Sequence, residues 1–107
     1  PNDPSVASGR AGDREQGTAV EFAFRIERDR VTETRFRAFG CPHVLAAASW
    51  AAEAACGLDR SQLAGWDWQE AARVLEVPPA KFGRLLTLQD AIRAVVRNWP
   101  AATESTV

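Results

Sequence analysis

Methionine is absent from this chain of 107 residues, histidine occurs once and cysteine only twice. Two cysteines do not make the disulfide framework that staples small secreted domains. No apolar run reaches the ~18 residues or more expected of a transmembrane span. The polar N-terminus lacks the apolar stretch of a secretory signal. Neither sign of charge is in excess: the formal net charge is −1 and the pI is near 5.8, which gives no electrostatic case for nucleic acid or an anionic membrane as partner. A chain that starts at Pro1 without methionine fits a processed start and a fragment alike.

What is present is ordinary for a globular protein. Hydrophobic residues make up 46% and charged residues 25% of the chain, enough for one domain with a single modest core. Residues 1–17 are rich in Gly, Pro, Ser and charge and read as mostly irregular. From Val20 the pattern alternates, with Val20, Phe22, Phe24 and Ile26 apolar and Glu21 and Arg25 between them, which predicts a half-buried strand. A polar turn at residues 27–30 leads into a second alternating stretch, 31–39. Together they predict an antiparallel hairpin.

After Cys41 the pattern becomes helical. Pro42 suits the first position of a helix and Gly57 the left-handed position beyond its end. Val44, Leu45, Ala48, Ala51, Ala52 and Ala55 give that helix a stripe of small residues suited to close packing on the sheet. Asp67 and Glu70 have the spacing of a capping box for a further helix through Glu76. Pro78 and Pro79 stop it. A last helix, about 81–98, groups Leu85, Leu88, Ile92, Val95 and Val96 on one side, and residues 101–107 form a frayed polar tail. Strands followed by helices predict an α+β fold, a small antiparallel β-sheet packed against α-helices. If 42–56 is a helix, Cys41 and Cys56 lie at opposite ends of it, roughly 22 Å apart and out of disulfide reach. Two free thiols suit a reducing cytoplasm.

Four segments carry a resemblance. Phe36-Arg37-Ala38-Phe39-Gly40-Cys41 is similar to the strand end "FKTFGC" of the IscU/NifU-type iron–sulfur scaffold family, which carries a cluster-ligating cysteine. Val77-Pro78-Pro79-Ala80-Lys81 resembles its "LPPVK", and Leu88-Gln89-Asp90-Ala91-Ile92 its "AEDAI". No gap is needed between Gly40 and Ile92. Residues Val6 to Asp13 have the length of the family's "VGAPACGD", with Arg14–Gly17 then an insertion.

The resemblance implies a scaffold or accessory protein of iron–sulfur cluster assembly rather than an enzyme. Iron or a [2Fe–2S] cluster is the group it would hold. Its partners would be a cysteine desulfurase and an Hsp70-type chaperone, the latter bound at Val77, Pro78, Pro79, Ala80 and Lys81. That segment would otherwise be a plain interhelix linker. Two further family cysteines and a histidine are missing, because those positions read Ala11, Arg84 and Gly83.

Cys41 is the leading site residue. At a strand-to-helix junction the helix dipole and unpaired backbone N–H groups favour a thiolate, which is a better soft-metal ligand and sulfur acceptor. Local features alone favour a small buried hydrophobe, and it is the resemblance that favours the site. Asp13 matches the aspartate of "CGD", or else makes an Asx-turn after Gly12. Arg84 cannot ligate iron. It can pair with Asp13 or a Cys41 thiolate and fill the site, or face solvent from an amphipathic helix. Gly83 removes a donor and weakens the helix start. His43 lies two residues past Cys41, where helical side chains diverge too far to chelate together.

A cluster or a tetrahedral zinc wants four good donors, mostly thiolate, and Cys41 with Asp13 supplies two. Binding is therefore expected to be weak or dimer-dependent, with two subunits each lending both residues. The alternative is an adaptor or regulatory module that keeps the fold and partner surfaces without metal. Trp50 and Trp99 are expected on helices, and an exposed Trp66/Trp68 pair would mark a protein-binding patch.

Overall fold

The computed structural model describes residues 4–100. A three-stranded antiparallel sheet in the order β1-β2-β3 comprises β1 (Val6–Asp13), β2 (Thr18–Glu27) and β3 (Arg30–Phe39). Four α-helices follow: α1 (Pro42–Ala55), α2 (Arg60–Ala64), α3 (Trp68–Leu75) and α4 (Phe82–Arg97). The α+β architecture is the predicted one. Among the described residues, no helix is long and apolar enough to cross a membrane. Residues 101–107, expected to fray, lie outside the described residues, as do residues 1–3.

The alternation read from β2 is the alternation of burial. Val20, Phe22, Phe24 and Ile26 face the helices and are buried, while the residues between them are half-exposed. The hairpin turns on Arg28 and Asp29, both with positive φ (54° and 65°), a two-residue connection whose twist matches the strands it joins. Trp99 Nε1 donates to Asp29 Oδ1 at 2.8 Å, which fastens the chain beyond α4 to this turn. Trp99 thus lies past the last helix rather than on it.

The first strand corrects the expectation that residues 1–17 are mostly irregular. Val6–Asp13 pairs with β2 along its whole length, and Arg14–Gln16 forms a 3₁₀ turn. The glycines that suggested a loop serve the packing of a strand. A Cβ placed on Gly9 would lie 2.4 Å from both the Ala91 carbonyl oxygen and the Val95 nitrogen, so only glycine lets β1 meet α4 this closely. Pairing with β2 and cover from α4 outweigh the weak strand propensity.

Helix α1 starts at Pro42 and is followed by Gly57 at φ 88°, as its sequence predicts. Its buried face is Val44, Ala47, Ala48, Ala51, Ala52 and Ala55, while Leu45 is exposed. The capping box stands eight residues earlier than expected. Asp59 and Gln62 cap α2 reciprocally, whereas Asp67 accepts from Gln69 N and Glu70 pairs with Arg73. Helix α4 lays Leu85, Leu88, Ala91, Ile92 and Val95 against the sheet and completes the core.

Candidate functional site

The register of the sheet determines which residues can meet. The C-terminal end of β1, the start of β2 and the end of β3 coincide: Ala11 pairs with Val20, which pairs with Ala38, and Ala19 pairs with Phe39. Gly40 and Cys41 leave β3 at this same end. Gly40 has φ 155°, and a Cβ on it would lie 3.3 Å from the Gly17 carbonyl oxygen. Helix α4 begins here as well, since Gln16 and Thr18 line a pocket with Ala80, Gly83, Arg84 and Thr87. Ala11, Cys41, Gly83 and Arg84, far apart in sequence, therefore share one end of the molecule.

Cys41 is the N-cap of α1, half-buried and a free thiol. Burial raises its pKa. The backbone N–H groups of Val44 and His43 and the charges of Lys81 and Arg84 outweigh that, so the net effect holds the thiol below its ordinary value. His43 contributes through its backbone. Among the described residues, no three His, Cys, Asp or Glu side chains are grouped so as to hold a metal ion.

Asp13 is exposed at the end of β1, and its Oδ1 accepts from Gln16 N at 2.8 Å. It lines a depression of about 470 Å³ with Arg10, Arg14, Glu21, Arg37 and Phe39. Arg84 lines the separate pocket of about 200 Å³ between the 3₁₀ turn and α4. It is half-buried and forms no hydrogen bond or ion pair with Asp13, Cys41 or any other described residue. A Cβ on Gly83 would meet nothing within 4 Å, so packing does not demand glycine there.

The proline segment differs from a free extended loop. Val77 is buried in the core, Pro78 is extended (φ −70°, ψ 149°), and Pro79–Lys81 winds into a 3₁₀ turn that feeds α4. The fixed φ of Pro79 suits the first position of that turn, and Lys81 N donates to Pro78 O at 2.9 Å. Pro78, Pro79 and Ala80 are the exposed members. The tryptophans do not form an exposed pair. Trp66 is buried with its ring centroid 6.3 Å from that of Trp50, and Trp68 is half-buried, 5.0 Å from the ring of Phe82.

Comparison with known proteins agrees with the resemblance read from the segments around Cys41 and Pro78. The model of the NifU-like N terminal domain matches residues 1–106. The chain belongs to this family. Iron-sulfur cluster assembly protein 2 of Arabidopsis thaliana is 30% identical to it over 115 residues, covering 99% of this chain and 71% of the relative. Iron-sulfur cluster assembly protein IscU of Plasmodium falciparum is 28% identical over 98 residues, 92% of this chain. The chain spans only 60% of the length of that relative.

A solved structure from Fervidobacterium islandicum AW-1, described as a candidate iron–sulfur cluster assembly scaffold for the SUF system, superposes with a TM-score of 0.66 at 13% identity. The match covers 84% of this chain and 79% of that one, and it shows that the NifU-like fold is shared.

Proposed function

We propose that this NifU-like domain takes part in iron–sulfur cluster assembly as a scaffold-like or accessory protein in which Cys41 is the one retained thiolate ligand. The observation that carries this reading is the setting of Cys41. It caps α1 at the sheet end where the other family ligand positions converge, with backbone N–H groups and two cations favouring the thiolate. The cluster is cargo here, and Cys41 and Asp13 are the residues that would hold it. Ala11 and Gly83 offer no donor, and a guanidinium at Arg84 does not bind a metal cation.

Two donors fall short of the four that a cluster or zinc requires. Stable binding therefore calls for a second chain lending its own Cys41 and Asp13, or for a partner's ligands. Resemblance supports a cysteine desulfurase as sulfur source and an Hsp70-type chaperone at Pro78–Lys81. With Val77 in the core, docking on the folded domain uses Pro78, Pro79 and Ala80.

The test is anaerobic incubation with ferrous iron and sulfide, comparing the native chain with Cys41→Ser and Cys56→Ser. Iron and sulfide retention that depends on Cys41 and survives Cys56→Ser supports the reading. Retention indifferent to Cys41, or its absence at every protein concentration, contradicts it.

A further inference from the structure

The pocket beside Arg84 has a chemistry of its own. Its lining residues are Gln16, Thr18, Ala80, Gly83, Arg84 and Thr87, with no carboxylate, thiolate or imidazole among them. Thr18 is the polar residue buried in the core among the described residues, 7% exposed, and its hydroxyl has no hydrogen-bond partner there. Trp66 Nε1 is the buried side-chain polar atom left without a partner among the described residues, so the Thr18 hydroxyl is not sealed in the core and is open to an acceptor that enters the pocket. The neighbouring Thr87 hydroxyl is already used, donating to Gly83 O at 3.4 Å. Arg84 supplies a full charge that no described carboxylate neutralises.

The backbone adds to this. Helix α4 is 16 residues long and no side chain caps its N-terminus. Its dipole places about half a positive charge at the mouth of the pocket. Gly83 leaves that mouth open, since a Cβ there would meet nothing within 4 Å. A cation, a hydroxyl donor and a helix N-terminus thus converge on about 200 Å³ of open space, below the ~300 Å³ at which drug-sized ligand sites begin.

We propose that this pocket is a binding site for a small tetrahedral oxyanion of the phosphate or sulfate class. Arg84 is its charge partner and Thr18 and Gln16 are donors. The site accepts a free ion or the terminal group of an ester. The inference goes beyond the cluster-assembly reading and does not depend on it, because none of its groups is a metal donor.

The experiment is a ¹H–¹⁵N NMR titration of the native chain with inorganic phosphate and, in a second arm, glycerol 3-phosphate, both at constant ionic strength. Saturable shifts at the amides of Gln16, Thr18, Gly83 and Arg84 with either probe support the site, and the tighter probe identifies the source of the group. Arg84→Gln should weaken binding about tenfold to a hundredfold, the scale of a lost charge-assisted hydrogen bond, and Arg84→Lys should recover part of it.

Thr18→Ser should keep binding where Thr18→Val weakens it. Should Thr18→Val fail to fold, Gly83→Asp serves instead. It introduces a carboxylate into open space at a helix start, where the fold accepts it, and should abolish binding. No saturable shift with either probe, affinity unchanged in Arg84→Gln and Gly83→Asp, or shifts centred on Arg10 and Arg37 would overturn the proposal.

Discussion

Arg84 acts on Cys41 through its charge alone. It helps to lower the thiol's pKa yet forms no hydrogen bond with it, nor with Asp13. Of the two placements open to this arginine, a bond closing over the thiol is not the one adopted. Nor is Arg84 a plain solvent-facing residue, since it is half-buried in the wall of a pocket. An unpaired guanidinium leaves Cys41 open to ligands while favouring its thiolate.

A first prediction follows for reactivity. In a Cys56→Ser chain, alkylation rate against pH should report a Cys41 pKa below the free-thiol value of about 8.5. Combining Lys81→Gln with Arg84→Gln should raise it. An unshifted pKa in the parent would contradict the account. Cys56 is exposed, so the slow labelling that a structural cysteine would show is not expected of it.

The same shift has a consequence for stability. The unfolded chain keeps its Cys41 proton to higher pH than the folded chain does. Stability should therefore rise with pH from the folded pKa up to about 8.5 and gain nothing from this thiol below that window. Comparing urea midpoints of the Cys56→Ser chain with those of Cys41→Ser/Cys56→Ser across that window isolates the contribution. A parallel pH dependence in both would refute it.

Gly9→Ala should destabilise the fold by about 1–3 kcal/mol, because its methyl group would press on the backbone of Ala91 and Val95, which cannot rotate away. Denaturant unfolding measures this. A neutral result would show that β1 and α4 are not packed as closely as described.

Placing cysteines at the two positions that the resemblance marks as ligand positions, Ala11→Cys with Arg84→Cys, should raise the iron retained per chain after anaerobic loading, because both lie at the Cys41 end of the sheet. Iron and sulfide assays on the monomeric fraction check it. No gain over the native chain would mean that the shared end lacks a common ligand geometry.

Much of the architecture was legible in the sequence because it rests on local rules. Strand β2 alternates at a period of two, and α1 is bracketed by Pro42 and Gly57. Strand β1 was not legible, since Gly9 and Gly12 read locally as a loop, and only the nearness of α4 explains Gly9 in a strand. Helix α2 escaped because five residues are too few to show a period. Its capping pair, Asp59 and Gln62, was the available signal.

At the site, Cys41 was legible from its place between strand and helix. The pocket joining Thr18 to Arg84 was not, because residues 66 apart meet only in the folded chain. Thr18, polar at the head of a strand whose following alternate positions are buried, was the available hint.

The central claim is that one chain retains too few ligands to hold a cluster alone. Size-exclusion chromatography under anaerobic conditions, after loading with iron and sulfide, tests it most directly when each fraction is assayed for iron, sulfide and visible absorption. The account predicts an iron-free monomer peak, with any [2Fe–2S] absorption confined to a dimer that carries one cluster per two chains and disappears in Cys41→Ser. A monomer peak carrying one stable [2Fe–2S] cluster per chain would contradict it.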